Sequence, residues 1–125
     1  MALWDPRWAN LGSYNFFVGI ILCGHIQGVS SYIHHLNLYA PCKDRLFFWD
    51  RMATCGIMKI GSLIIAGNFN ATISMEECWG ARVHRDALAM RLYYLYAKNH
   101  LVDIHLFPLT LTKSNVKEGE DHIGK

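Results

Sequence analysis

The stretch Ser62-Leu63-Ile64-Ile65-Ala66-Gly67-Asn68-Phe69-Asn70 decides how the rest of the chain is read. Ser62 to Ala66 is a short continuous apolar run of the kind found in a strand buried on both faces, and Gly67 breaks it. Asn68, Phe69 and Asn70 then stand at the carboxyl end of that strand. In layered α/β folds, loops diverge at such ends and leave a crevice for ligands.

Upstream, Leu46 to Cys55 carries large apolar residues suited to a helix packed on a sheet, with Asp44 as its N-cap and Gly56 as its stop. Before it, two β-like runs, Asn15–Ile26 and Ser30–Tyr39, are separated by Gln27 and Gly28 and read as antiparallel strands. In the second run, Tyr32, His34, Leu36 and Leu38 share one face, while Ile33, His35, Asn37 and Tyr39 share the other. Ala40-Pro41 ends the strand at Tyr39. Met1 to Ser13 has no period and reads as an irregular lead-in or a short strand remnant. Downstream, Ala71 to Arg85 is loop-like. Asp86 to Lys98 then places Leu88, Leu92 and Leu95 on one face, with Ala89 and Tyr96 beside them, which predicts a second helix. Asn99 suits a left-handed C-terminal cap, and Leu101 to Phe107 predicts a further strand before Pro108. The order strand, strand, helix, strand, helix, strand is that of an α/β layered architecture, a mixed sheet with helices on its face.

Composition bounds the function. The 125 residues allow one domain, and 52% hydrophobic residues with 18% charged exclude disorder as a class. A net charge of +2 names no partner, although seven histidines add positive charge below about pH 6.5. Cys23, Cys42, Cys55 and Cys78 form no C-x-x-C pair and read as reduced structural thiols. Asp5 and Arg7, with no small-residue cleavage pattern after the first apolar run, argue against a signal peptide. The run Phe16 to Gly24 is too short for a membrane helix, which needs ~20 apolar residues, so no membrane role is expected.

Several motifs recur in a fixed order along the chain: Leu3-Trp4-Asp5-Pro6, the strand end NLYAP (Asn37 to Pro41), Phe48-Trp49 and LIIAGNFNATIS (Leu63 to Ser74). Glu77 and Gly80, Leu101-Val102-Asp103-Ile104, Ser114-Asn115 and Gly119-Glu120 follow. Together they resemble the endonuclease/exonuclease/phosphatase superfamily, specifically the endonuclease domain of plant LINE-type (non-LTR) retrotransposons. The resemblance implies a layered α/β sandwich, Mg²⁺-dependent hydrolysis of a nucleic-acid phosphodiester by in-line attack of water, DNA as partner and a nuclear location. In the family's GDFN-type motif the Asp is general base or metal ligand and the Asn donates to the scissile phosphate. The Tyr of the YAP-like motif helps hold the phosphate or the leaving oxygen. The matching positions here are Asn68 for the Asp, Asn70 for the Asn and Tyr39 for the Tyr. Alternation would aim both amides at the crevice and the Phe69 ring at the core.

Asn68 is the main departure from that pattern. An amide takes no proton from water near neutral pH and lacks the charge that holds Mg²⁺; loss of a general base alone costs roughly 10²- to 10⁴-fold in rate. Lys113 stands where the family has Trp. The family's metal-binding Glu would precede Met1 and its late Asp-His pair would follow Lys125. Residues 1–125 are therefore expected to be the central part of such a domain, degenerate in activity, with both ends of the family domain missing. A partial domain exposes sheet edges, which predicts self-association, and the alternative to a degenerate enzyme is a non-catalytic nucleic-acid or protein interaction module.

Simpler structural roles compete for the same residues. Asn68 suits a cap of the turn after Gly67. His34 and His35 face opposite sides and cannot share one metal ion; His25 and His34 meet only if the hairpin register allows it. His84, His100, His105 and His122 are scattered. Glu76 and Glu77 read as solvated loop carboxylates, with Glu77 matching the family's loop Glu. Arg82, Arg85, Arg91 and Lys98 against Asp86 suit either phosphates or the solvated side of a helix. Tyr93, Tyr94 and Tyr96 could stack bases, but Leu92 and Leu95 beside them assign the tyrosines to the core.

Overall fold

The computed structural model describes residues 2–77, 79–80, 85–104 and 123–124. They belong to two compact units, Met1–Asn70 and Ala71–Lys125. The fold is α/β.

In the first unit, strands β1 (Ala9–Phe16), β2 (Gly19–Ile26) and β3 (Ile33–Tyr39) precede helix α1 (Arg45–Thr54), a short 3-10 turn (Ile57–Lys59) and strand β4 (Leu63–Asn68). The sheet order is β1-β2-β3-β4, with antiparallel β1–β2 and β2–β3 pairs and a parallel β3–β4 pair. The parallel pair requires a crossover, which α1 supplies. The predicted alternation in β3 holds around its carboxyl end, where Leu36 and Leu38 are buried while Asn37 and Tyr39 are exposed. Phe48, Trp49, Met52, Ile57 and Met58 complete the apolar core of this unit. Trp49 is fully buried, and its indole N–H has no hydrogen-bond partner among the described residues.

Four expectations for this unit need correction. The expected strand Asn15–Ile26 is two strands, because Phe17 and Val18 turn the chain; part of the expected lead-in becomes β1 and pairs along the length of β2. Neither turn residue has turn chemistry, and the turn is held from outside: Tyr39 N–H donates to the Val18 carbonyl at 3.0 Å, and Val18 is buried. Gly67 does not break β4. It pairs with Leu38, and a Cβ there would sit 2.0 Å from the Leu38 carbonyl oxygen on a backbone with φ of 127°. Gly is thus needed for close approach inside the ladder, not for a turn. Nor is β4 buried on both faces. Among the described residues it is an edge strand of the sheet, and Ile64 is 47% exposed. Finally, Asp44 occupies the N-cap position but its side chain makes no cap hydrogen bond; its backbone is left-handed, with φ of 54°.

In the second unit, a 3-10 turn (Met75–Glu77) precedes β5 (Trp79–Gly80), α2 (Ala89–Lys98) and β6 (Ile123–Gly124), and β5 pairs antiparallel with β6. Leu88, Ala89, Leu92 and Leu95 form its buried stripe, as the periodicity requires. The helix starts later than Asp86. The Asp86 carboxylate accepts the N–H of Leu88 at 2.9 Å and that of Thr72 at 3.3 Å, so this residue acts as a cap ahead of the helix. The left-handed residue after α2 is His100, with φ of 55°, rather than Asn99. The Leu101 N–H returns to the Tyr96 carbonyl at 2.9 Å, closing the helix end. Leu101 to Ile104 is not a strand; the rest of that expected strand, with Ser114-Asn115 and Gly119-Glu120, lies outside the described residues. No described helix is long and apolar enough to cross a membrane.

Candidate functional site

The parallel ladder sets Tyr39 directly beside Asn68 at the carboxyl ends of β3 and β4. Laterally paired residues share a face of the sheet, so the phenol and the amide project to the same side. The Ala40 N–H donates to the Asn68 carbonyl at 2.7 Å, continuing the pairing one residue past Tyr39.

Asn68 and Asn70 are bonded into the turn that follows β4. The Asn68 side-chain oxygen accepts the Asn70 backbone N–H at 2.9 Å, an Asx-turn bond. Asn70 adopts a left-handed backbone, with φ of 45°, and its side-chain nitrogen donates to the Ala40 carbonyl. The Asn70 carbonyl in turn accepts from Arg45 Nη1 at 2.8 Å. Between the two amides, the Phe69 ring stacks on buried Trp49, with centroids 5.6 Å apart and planes 18° from parallel. The ring therefore packs against a core residue, as alternation suggested. The amides meanwhile tie α1, β3 and the turn together.

Tyr39 is 68% exposed and borders a hollow of about 400 Å³ together with Phe17, Pro41, Lys43, Phe47 and Arg51. Neither Asn68 nor Asn70 lines that hollow. The three candidate positions are neighbours in the ladder and turn, yet they do not surround a common cavity. This hollow escaped sequence reading because Phe17 lies in an unrecognised turn. One signal was present: adjacent helical residues differ by about 100° in direction, so Phe47 and Phe48 cannot both face the core.

The donors at this strand end do not fit Mg²⁺. Asn68 offers one amide oxygen, already accepting an N–H, and Tyr39 a phenol, whereas a hard dication calls for carboxylates. Among the described residues no group of three or more His, Cys, Asp or Glu side chains is arranged to hold a metal ion.

The remaining candidates have local roles. The Glu77 carboxylate accepts the N–H groups of Ile73 at 3.2 Å and Ser74 at 3.3 Å, closing its own turn. The Arg7 guanidinium at 2.7 Å holds the Asp5 carboxyl below the usual carboxylate range. His25 and His34 do not meet directly. Tyr32 intervenes, its ring 5.1 Å from His25 and 5.2 Å from His34, while His34 Nδ1 lies 3.0 Å from the Gly61 carbonyl. Tyr93 and Tyr94 are exposed, contrary to their expected burial, because the core stripe of α2 is already filled by Leu92 and Leu95; Tyr96 alone is largely covered. Lys98 lies over the Tyr94 ring at 5.8 Å and Arg91 at 6.0 Å. Burial, with the charges of Asp103 and Glu77 adding to it, pushes the Tyr96 hydroxyl up to about 12. Cys23, Cys42 and Cys55 are free thiols. Cys78, Arg82, His84, His105, Lys113 and His122 lie outside the described residues.

No protein-family model matches the chain, and no curated protein matches it.

Proposed function

We propose that this chain is a retrotransposon-derived relative of the endonuclease/exonuclease/phosphatase phosphodiesterases in which the ancestral Mg²⁺-dependent hydrolysis of nucleic acid has been lost. The observation carrying this reading is the pairing of Tyr39 with Asn68 at the carboxyl ends of two parallel strands joined through α1. That is where the motif order implied by the resemblance needs a phosphate-holding phenol beside a catalytic carboxylate. An amide in the second place cannot act as general base, and its oxygen is engaged by the Asn70 N–H. DNA is the partner that this descent implies, with a nuclear location.

Purified protein incubated with Mg²⁺ and supercoiled plasmid is expected to nick no faster than a heat-treated control. Nicking that disappears in Asn70→Ala or Tyr39→Phe would overturn the loss of activity. Descent has a separate test in the flanking genomic sequence. An in-frame strand ending in Glu upstream and an Asp-His pair downstream are expected, and finding neither counts against this ancestry.

A second reading, a non-catalytic module that associates through its sheet edge, is favoured by the exposed Ile64 on edge strand β4.

A further inference from the structure

The hollow beside Tyr39 combines exposed rings with unpaired cations. Phe47 is 72% exposed, and Tyr39 and Phe17 are also open to solvent. Tyr39 and Phe47 have no ring stacked on them among the described residues, so each presents a free π-face. The Arg51 guanidinium lies 4.1 Å over the Phe17 ring, adding a flat, charged surface to the same wall. Lys43 and Arg51 form no ion pair with any described residue, and with Asp44 they leave the rim one charge positive. The hollow, about 400 Å³, is shallow and open to solvent and is lined within the first unit alone.

Aromatic faces interleaved with cations are the chemistry that binds single-stranded nucleic acid: bases stack on rings while the phosphodiester charge meets Lys and Arg. An apolar peptide would use the rings and leave Lys43 and Arg51 unanswered; an anion alone would use the cations and leave the rings bare. We propose that this hollow binds an unpaired nucleotide of single-stranded DNA or RNA, its base against Tyr39 and Phe47 and its flanking phosphates on Lys43 and Arg51. The inference shares Tyr39 with the reading above but does not rest on it, because stacking requires neither a carboxylate nor a metal ion.

Fluorescence anisotropy of a labelled twelve-residue oligothymidylate, titrated with the full chain in EDTA at two salt concentrations, tests it. EDTA excludes Mg²⁺ chemistry, so failure here and failure of the nicking assay are distinguishable. Phe47→Ala is expected to weaken binding roughly 5- to 150-fold, the range for removing one stacking ring. Phe47→Tyr should restore it. Lys43→Ala should reduce the salt slope by roughly 0.7, the value for one phosphate contact on a single strand. Both side chains are exposed, and a thermal melt checks that each variant folds. Absence of binding, binding unchanged in both Ala variants, or equal affinity for a blunt duplex would overturn the proposal. So would a dimer that Phe47→Ala dissolves without any oligonucleotide binding, which would give the hollow to a second copy of the chain.

Discussion

Asn70 joins three segments through one residue. Its side chain donates to the carbonyl of buried Ala40, its N–H closes the turn on Asn68, and its own carbonyl receives Arg45. Replacing it with Ala leaves the Ala40 carbonyl without that donor and forces an L side chain without a local hydrogen bond into the left-handed region. Asn70→Ala is expected to destabilise the chain by about 1–3 kcal/mol, the range for an unsatisfied buried polar group, read from urea unfolding. Gly67→Ala should be worse, because the atom its Cβ meets is the backbone Leu38 oxygen inside the β3–β4 ladder and cannot move aside cheaply. A near-wild-type Asn70→Ala would show that the amide has no structural role. At this scale the sequence revealed residue types but not assignments. GNFN was visible as a strand-end motif, and Asn68 as a candidate turn cap, yet the bond from Asn70 to Ala40 depends on a residue thirty positions away.

Helices α1 and α2 were legible for local reasons: the apolar residues of α2 recur at the helical period, whereas α1 is marked by large apolar residues between Asp44 and Gly56, and its limits differ from the expected ones by a single residue at either end. Strands fared less evenly. Strand β3 ends at Tyr39 as its Ala-Pro stop requires, but the β1–β2 hairpin was hidden because Phe17-Val18 lacks Gly, Asn or Asp. The second helix also has a pH signature. Tyr96 is pushed from the ordinary 10.0 to about 12, chiefly by burial. The neutral phenol is therefore favoured in the folded state; its contribution to stability is complete below pH 10 and is lost as pH rises from 10 towards 12. Denaturation midpoints should fall over that window, and Tyr96→Phe should flatten the fall, with ultraviolet absorbance reporting phenolate formation. An identical alkaline profile in Tyr96→Phe would remove Tyr96 as the cause.

For the whole molecule, the apolar composition that promised a packed core is shared between two compact units. Part of it stays on the surface: Ile64 on the edge of the sheet, Phe47 and Tyr39 at the hollow, and Tyr93 and Tyr94 on α2. The free backbone N–H and C=O groups of an edge strand are a template for strand addition, and an exposed apolar side chain such as Ile64 adds surface to bury there. If β4 supports self-association, sedimentation velocity should show a concentration-dependent dimer that Ile64→Lys converts to monomer. A monomer at every concentration would remove the interaction-module reading and leave the phosphodiesterase ancestry untouched.

By itself, the sequence determined the α/β order around β3, α1, β4 and α2, the buried stripe of α2 and the alternation of Leu36 and Leu38 with Asn37 and Tyr39. Each follows from apolar runs, side-chain period or, for β3 and α1, local stop residues, which the chain carries within a few positions. Only the tertiary structure decided that Tyr39 lies beside Asn68, that Gly67 stays in the strand, that the Asn70 amide bonds to the Ala40 carbonyl, and that Tyr39 joins Phe17 and Phe47 around a hollow. Those features arise from strand register and from the approach of backbone segments distant in sequence, neither of which is written into local periodicity.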